Sequence, residues 1–158
     1  MMKMKKFLAL AMAAAMAVSM VGCGSSATEE TKAETTAAAA GEETYTIGIC
    51  QLVQHVALDA ATEGFMDAVK DELGDAVTFD VQNAQNDSNT CSTIANSFVS
   101  ADVDLILANA TPALQAAAAA TNEIPILGTS VTEYGVALEI EDFDGTVGGN
   151  ISGTSDLA

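Results

Sequence analysis

Residues 103–132 read VDLILANATPALQAAAAATNEIPILGTSVT and predict a strand, a turn, a helix and a second strand. The apolar run 103–108 is typical of a short buried strand. Thr111 followed by Pro112 indicates a helix start, because a Thr hydroxyl can cap free N–H groups and Pro needs no donor at the first helical position. Beyond the end of a strand, exposed helix N–H groups favour a carboxylate or phosphate. We therefore expect Thr111 to face a ligand; the alternative is an ordinary cap on a surface helix.

The same alternation extends toward the N-terminus. Residues 45–50 and 77–82 predict two further buried strands. Between them, apolar residues recur every three or four positions, which indicates an amphipathic helix that Gly74 ends. Asp87 or Ser88 is expected to cap a second helix that ends near Asp102. The apolar positions of the first helix are Leu58, Ala61, Phe65, Val69 and Leu73.

Toward the C-terminus, residues 136–140 predict one more short strand. Residues 142–158 are rich in glycine, but they contain no Lys followed by Ser or Thr, so a phosphate-binding loop is disfavoured. Up to residue 132 the predicted order is β-α-β-α-β-α-β. Such alternation with short loops predicts an α/β fold with a parallel, doubly wound sheet and right-handed crossovers.

The first 43 residues are not expected to join this sheet. Three Lys precede the apolar run 7–21, so residues 1–22 are predicted to be a signal peptide. Cys23 directly after Gly22 makes the segment resemble a bacterial lipoprotein signal, in which this Cys is acylated; the alternative is an ordinary signal peptide. Residues 23–43 include no large apolar side chain from Ser25 onward and are predicted to be a disordered tether. The folded part is then residues 44–158, one domain by length.

The charge of the chain excludes several classes of partner. After Cys23 there are two Lys and all 22 acidic residues, a net charge of about 2 − 22 = −20, and the chain contains no Arg. Nucleic acids and anionic membrane surfaces are poor partners, because neutralising phosphates needs clustered Lys or Arg. An anionic ligand would have to be held by N–H groups and hydroxyls.

Metal and thiol chemistry have little support in the sequence. The one His, His55, cannot form a His-based metal site alone, and no Cys-x-x-Cys pair exists. Cys50 and Cys91 are expected to be buried free thiols, with a disulfide as the alternative in an oxidising compartment. Four acidic residues at four-residue spacing are interpreted as the solvated face of the first helix rather than as a cation site. They are Asp59, Glu63, Asp67 and Asp71.

Polar residues follow the predicted first, third and fourth strands, at 51–55, 109–111 and 129–132. Because parallel strands end on the same side of a sheet, we expect these segments to converge on one rim and to bind a zwitterionic small molecule. Catalysis is disfavoured, since the segments offer a single His, no Gly-x-Ser-x-Gly turn and no acid pair fixed by spacing. The hydroxyls have no evident base, so they are interpreted as hydrogen-bond donors in a protein that is not an enzyme and needs no cofactor.

At this point the chain resembles the substrate-binding lipoproteins of ATP-binding-cassette (ABC) importers, in particular the branch associated with tryptophan and other aromatic amino acids. The resemblance spans about residues 47–156 and is carried by ordered blocks at matching spacing. The chain departs from the family at the pair Glu133-Tyr134, where the family usually has Asp-Pro, and Tyr134 could then reach the pocket. The blocks are 47–51, His55 with Leu58-Asp59 and Gly64-Phe65, 83–85, 110–115, 124–126 with Val131-Thr132, and 149–156.

The resemblance implies the N-terminal lobe of a two-lobed, type I periplasmic-binding-protein-like clamshell whose second lobe is absent from this sequence. It implies that Thr111 and the segment from Ser130 to Thr132 bind the carboxylate of the ligand. Gln54 and His55 would line the pocket for its side chain, and Ser155 and Asp156 would lie where the chain crosses to the second lobe.

The resulting expectation is a lipid-anchored protein on the extracytoplasmic face of the cell membrane. It would bind an amino acid, and an aromatic one on the evidence of the resemblance, and deliver it to a membrane permease with its ATPase. The alternative is a ligand-binding lipoprotein that serves a membrane sensor.

Overall fold

The computed structural model describes residues 43–156. The predicted signal peptide, Cys23 and nearly all of the predicted tether lie outside the described residues. The described part contains five strands, four helices and a single 3-10 turn at Gly74–Ala76. The strands are β1 (Tyr45–Gln51), β2 (Val77–Asn83), β3 (Leu105–Asn109), β4 (Ile126–Val131) and β5 (Ile151–Ser155). The helices are α1 (Val56–Leu73), α2 (Ser88–Ser100), α3 (Thr111–Ala120) and α4 (Tyr134–Ala137).

The strands form one sheet in the order β2-β1-β3-β4-β5, and every pair of neighbours is parallel. This arrangement confirms the predicted parallel, doubly wound α/β fold. One face of the sheet packs against α1, which contributes Phe65, Met66 and Val69. The other face packs against α2 and α3, with Phe98 and Leu114 fully buried there. Among the described residues, no helix has the length and apolar character needed to cross a membrane.

Local signals set the helix ends as predicted in two cases. Helix α1 ends at Gly74, which adopts φ 58° and donates its N–H to the carbonyl of Lys70; glycine reaches this positive φ without a steric penalty. Helix α2 is capped by Asp87, whose side chain accepts from the N–H groups of Asn89 and Thr90 at 2.7 and 3.2 Å.

The close approach of α2 to the sheet depends on Gly48 in β1. A Cβ at this position would lie 2.6 Å from the Phe98 ring, which real contacts do not allow. Phe98 is fully buried, so its burial contributes on the order of 2–3 kcal/mol. The missing side chain therefore lets α2 seat its largest apolar residue on the centre of the sheet.

The segment after β4 differs from the prediction. The expected strand at residues 136–140 is wrong, because Glu133 caps a single helical turn there with bonds to the N–H groups of Gly135 and Val136. Gly135 packs tightly against Phe143, and Val136 is 78% exposed. A short apolar run does not distinguish a strand from one buried helical turn. The fifth strand instead lies in the glycine-rich segment, at Ile151–Ser155.

Candidate functional site

The carboxyl ends of the five strands form one rim, because all of the strands run in the same direction. Gln51 lies opposite Asn109 in the pairing of β1 with β3, and Asn109 lies opposite Thr129 in the pairing of β3 with β4. The direction of strand progression reverses between β1 and β3. In open α/β sheets ligands bind outside the strand ends at such a switch point. The segments after β1, β3 and β4 therefore converge on one rim, as the sequence predicts.

Helix α3 begins at this rim without a side-chain cap. The prediction that Thr111 caps the helix is wrong: Thr111 is already the first helical residue, and Ala110 occupies the capping position. Ala110 has no side-chain oxygen, so the first N–H groups have no side-chain acceptor. The half-buried Thr111 hydroxyl makes no hydrogen bond to any residue between 43 and 156. These donors are free to bind an anionic group.

The turn from β3 into α3 is strained. Ala110 has φ 97° and ψ 157°, a region that glycine occupies and that costs other residues on the order of 1–3 kcal/mol. Its amide nonetheless donates to the Thr129 carbonyl at 2.9 Å, and its carbonyl accepts from Leu114 at 3.0 Å. Neighbouring bonds thus hold the strained residue in place. Strain of this kind is concentrated at ligand-binding turns in proteins.

The end of β4 is irregular in a similar way. Ser130 adopts φ 56°, and the pairing of β4 with β5 shifts register between Gly128 and Val131. The Asp156 amide then donates to the Val131 carbonyl at 3.0 Å. Ser130 is half-buried, whereas Thr132 is exposed. The predicted ligand hydroxyls at this position are therefore accessible and have no partner among the described side chains.

Three polar side chains that are more than nine-tenths buried meet where β1 and β3 end against α1. Thr62 donates to Gln51 Oε1 at 2.7 Å and accepts from Asn109 Nδ2 at 3.0 Å. The Asn109 amide also donates to the Leu58 carbonyl at 2.8 Å. Gln51 Nε2 donates to Asp59 Oδ1 at 2.6 Å and to the Val53 carbonyl at 2.9 Å. We call Gln51, Thr62 and Asn109 the polar network.

The polar network joins three elements. The sequence placed Gln51 and Asn109 on the rim, but it missed Thr62 and the hydrogen bonds that connect the three side chains. The polar network fixes the first turns of α1 against the switch point, so the loop after β1 has a defined position. Asn109 Oδ1 is buried without a partner among residues 43–156, which lowers the net stabilisation from this side chain. Two signals were available: an amide closes each of two apolar strands, and Thr62 lies within the apolar stripe between Leu58 and Phe65.

His55 has a structural role at the start of α1. Its Nδ1 accepts from the Ala57 N–H at 3.2 Å, and its carbonyl accepts from the Asp59 N–H at 2.8 Å. The imidazole is exposed, so it caps the helix and also lies on the rim. Its assignment to a ligand pocket stays a prediction.

A cavity of about 820 Å³ opens between α1 and β2, and we call it the α1–β2 cavity. Gln54 lines it, together with Asp59 and Glu63. The interpretation of Asp59 as part of a fully solvated face is wrong, because this carboxylate is half-buried and bonds to Gln51. The remaining lining residues are Gln51, Val53, Thr62, Met66, Val81, Asn83 and Gln85.

A second cavity, of about 460 Å³, lies beside the edge strand β5. Thr132 and Ser155 line it, whereas Gln54 lines the α1–β2 cavity. The other predicted site residues, His55, Thr111, Ser130 and Asp156, line neither of these two cavities. Tyr134 also lines it but is 6% exposed, and its hydroxyl donates to the Thr154 carbonyl at 3.3 Å. Burial raises the pKa of this phenol. Tyr134 therefore packs against β5. The sequence had suggested instead that this side chain could reach the ligand pocket.

The electrostatics of the described residues are strongly negative. Lys70 is the one Lys or Arg between residues 43 and 156, and its ammonium lies 5.7 Å from the centre of the Phe79 ring, away from the rim. No group of three or more His, Cys, Asp or Glu in this part of the chain could hold a metal ion. A ligand carboxylate at the rim would have to be bound by N–H and hydroxyl donors.

Comparison with known proteins places the chain among binding proteins. The sequence profile of the ABC transporter substrate binding protein family matches residues 46–158. A tyrosine-binding protein of Clostridioides difficile (strain R20291) is 44% identical over 167 residues, an alignment that covers 99% of this chain and 46% of that protein. The chain thus spans less than half the length of this relative.

Solved structures of binding proteins are also similar to this chain. The ligand-free, open structure of a substrate-binding protein with adhesive properties from Clostridium difficile superposes with a TM-score of 0.67 and 45% identity, covering 73% of this chain and 40% of that one. A Streptococcus pneumoniae ABC domain in complex with L-Trp superposes with a TM-score of 0.66 and 32% identity, covering 72% of this chain and 39% of that one.

Proposed function

Because the chain belongs to the ABC transporter substrate-binding protein family, we propose that residues 44–158 form the N-terminal lobe of a two-lobed protein that binds an aromatic amino acid for import. The second lobe would close over the rim described above. The binding of tyrosine and L-Trp by relatives supports the aromatic class. Family members are binding proteins, which supports a role in binding rather than in catalysis.

The observation that carries the proposal is the uncapped start of α3 at the switch point. Ala110 offers no side-chain acceptor, and the Thr111 hydroxyl has no partner among the described residues. A ligand carboxylate bound there would satisfy these donors and interact favourably with the positive end of the helix dipole. Ser130 and Thr132 would add hydroxyl donors from the neighbouring strand end.

The rest of the rim suits the other end of an amino acid. The α1–β2 cavity presents the carboxylates of Asp59 and Glu63 beside the apolar side chains of Val53, Met66 and Val81. Gln54 and His55 would contact the ligand side chain at the mouth of this cavity. In the proposed assembly Ser155 and Asp156 lead into the second lobe, and half of the ligand contacts come from that lobe.

The cellular setting is proposed on the same basis. The lobe would be held on the extracytoplasmic face of the membrane by a lipid on Cys23 and would pass its ligand to a permease driven by an ATPase. Replacing Cys23 by Ser should release the protein from the membrane fraction of expressing cells into the medium or periplasm. Retention of the variant in the membrane fraction would rule out this anchor.

Calorimetric titration of the full-length, two-lobed protein with the twenty amino acids tests the binding proposal. L-tyrosine or L-tryptophan should give heat that glycine and glucose do not. Thr111→Val should weaken the affinity about ten- to hundredfold, the effect of losing one hydrogen bond to a charged group. Thr93→Val on the exposed surface of α2 is the matched control and should leave the affinity unchanged. Heat from no amino acid would reject the function, whereas equal affinity in Thr111→Val would reject only the role of Thr111.

A further inference from the structure

Two thiols lie together in the core directly behind the polar network. Cys50 and Cys91 are both fully buried, and they belong to the same apolar cluster between the sheet and α2. Cys50 is the residue before Gln51, at the end of β1. Cys91 lies in the first turn of α2 and faces the sheet.

A short series of backbone hydrogen bonds fixes this proximity. The Ala84 amide donates to the Gln51 carbonyl at 2.8 Å, and the Asp87 amide donates to the Ala84 carbonyl at 3.0 Å. The Cys91 amide then donates to the Asp87 carbonyl at 3.0 Å. The first turn of α2 is therefore attached to the last residue of β1, and both buried side chains, which are free thiols in this structure, belong to the same part of the core.

We propose that Cys50 and Cys91 form a disulfide that links β1 to α2 when the protein folds in the presence of a disulfide oxidant. The two thiols lose two protons and two electrons, and one oxidised glutathione, or an equivalent protein disulfide, is reduced to two thiols through a mixed-disulfide intermediate. The disulfide closes the segment from residue 50 to residue 91 into a covalent loop. A cross-link of this span stabilises mainly by restricting the unfolded chain.

The timing of the reaction follows from burial. Burial in the core, and then the neighbouring Cys91, raise the pKa of Cys50 to about 12, so the folded dithiol contains very little reactive thiolate at neutral pH. Neither sulfur is accessible to a bulky oxidant in the folded state. The disulfide therefore forms while the chain folds, and the folded dithiol resists oxidation.

The experiment uses the chain with Cys23→Ser, which removes the third thiol. One sample is refolded from denaturant in glutathione redox buffer, and a second is folded with reductant and only then moved to the same buffer. Intact mass and alkylation after denaturation count the thiols in each sample. The refolded sample should be about 2 Da lighter than the reduced protein and contain no free thiol, whereas the folded dithiol should keep two thiols for hours at pH 7.

Thermal unfolding of the oxidised and reduced forms supplies a second measurement. The oxidised form should unfold at least about 5 °C above the reduced form, a shift that reductant reverses. Cys91→Ser should abolish both the mass change and the shift. Two free thiols after oxidative refolding, glutathione adducts in place of an internal bond, or disulfide-linked dimers would each overturn the proposal.

Discussion

The two halves of the rim are built differently. On the β1–β3 half, Gln51, Thr62 and Asn109 are 5%, 6% and 0% exposed and are bonded to one another. On the β4–β5 half, Thr132 and Ser155 are exposed, and no described side chain bonds to either hydroxyl. The pairing of β4 with β5 also shifts in register there. We call these the closed half and the open half. The difference shows that the rim combines a rigid frame with unused donors, which is what preorganised binding requires.

The largest effect on the free energy of unfolding is expected from a Thr→Val substitution in the closed half. The same substitution in the open half should be tolerated. Thr62→Val keeps the shape but removes the hydroxyl that serves both Gln51 and Asn109, which leaves the buried Gln51 Oε1 without a partner and takes one of two acceptors from Asn109 Nδ2. The free energy of unfolding should fall by about 2–4 kcal/mol. Thr132→Val, the same change on the open half, should cost no more than about 0.5 kcal/mol. Urea unfolding measures both variants, and equal losses would contradict the distinction between the halves.

The next largest effect is the pH dependence of the free energy of unfolding. It reports whether water is excluded from the core around Cys50, behind the closed half. In the reduced protein the pKa of Cys50 is raised from its usual 9.0 to about 12, first by burial and then by Cys91. The unfolded chain loses this proton first, so the stabilisation is complete below pH 9 and is lost between pH 9 and 12.

The slope in that range should include up to about 1.4 kcal/mol per pH unit from this one thiol. Urea unfolding between pH 8 and 11 measures the slope, and Cys50→Ser serves as the reference because it lacks the titrating group. The raised pKa values of Tyr45 and Tyr134 do not arise from Cys50, so the difference between the two slopes is assigned to the pair of Cys50 and Cys91. Identical slopes would mean that water reaches this part of the core.

Most of the sheet and its helices could be predicted because local sequence signals determine them. The apolar runs of β1 to β4, the stripe of α1, Gly74 and Asp87 each act through neighbours in the chain, and all of them appear in the structure. The converging strand ends followed from parallel order alone. Periodicity and capping rules therefore suffice for a doubly wound sheet.

The site was harder to predict because its interactions connect distant residues. Asn109 bonds to Thr62 across 47 positions, and no local pattern marks such a pair. Thr111 resembled a cap, but the strained turn at Ala110 moves the helix start one residue earlier. The run 136–140 is compatible with a strand, and only the bonds of Glu133 to the following N–H groups select a helical turn.

The smallest effect concerns Ala110, which joins the closed half to the start of α3. Glycine adopts φ 97° and ψ 157° without strain, so Ala110→Gly should remove about 1–3 kcal/mol of backbone strain from the folded state. The loss of one buried methyl group and the greater entropy of the unfolded chain offset most of that gain. The net result should be a rise in stability of about 0.5 kcal/mol.

The control, Ala113→Gly, makes the same change at a fully buried position of normal helical conformation in the same helix. It should lower the free energy of unfolding by about 1–1.5 kcal/mol, since no strain is relieved there. The opposite signs of the two variants, measured by urea unfolding, are the test. If both variants lose stability equally, Ala110 is not strained, and its hydrogen bonds to Thr129 and Leu114 alone fix the shape of the turn.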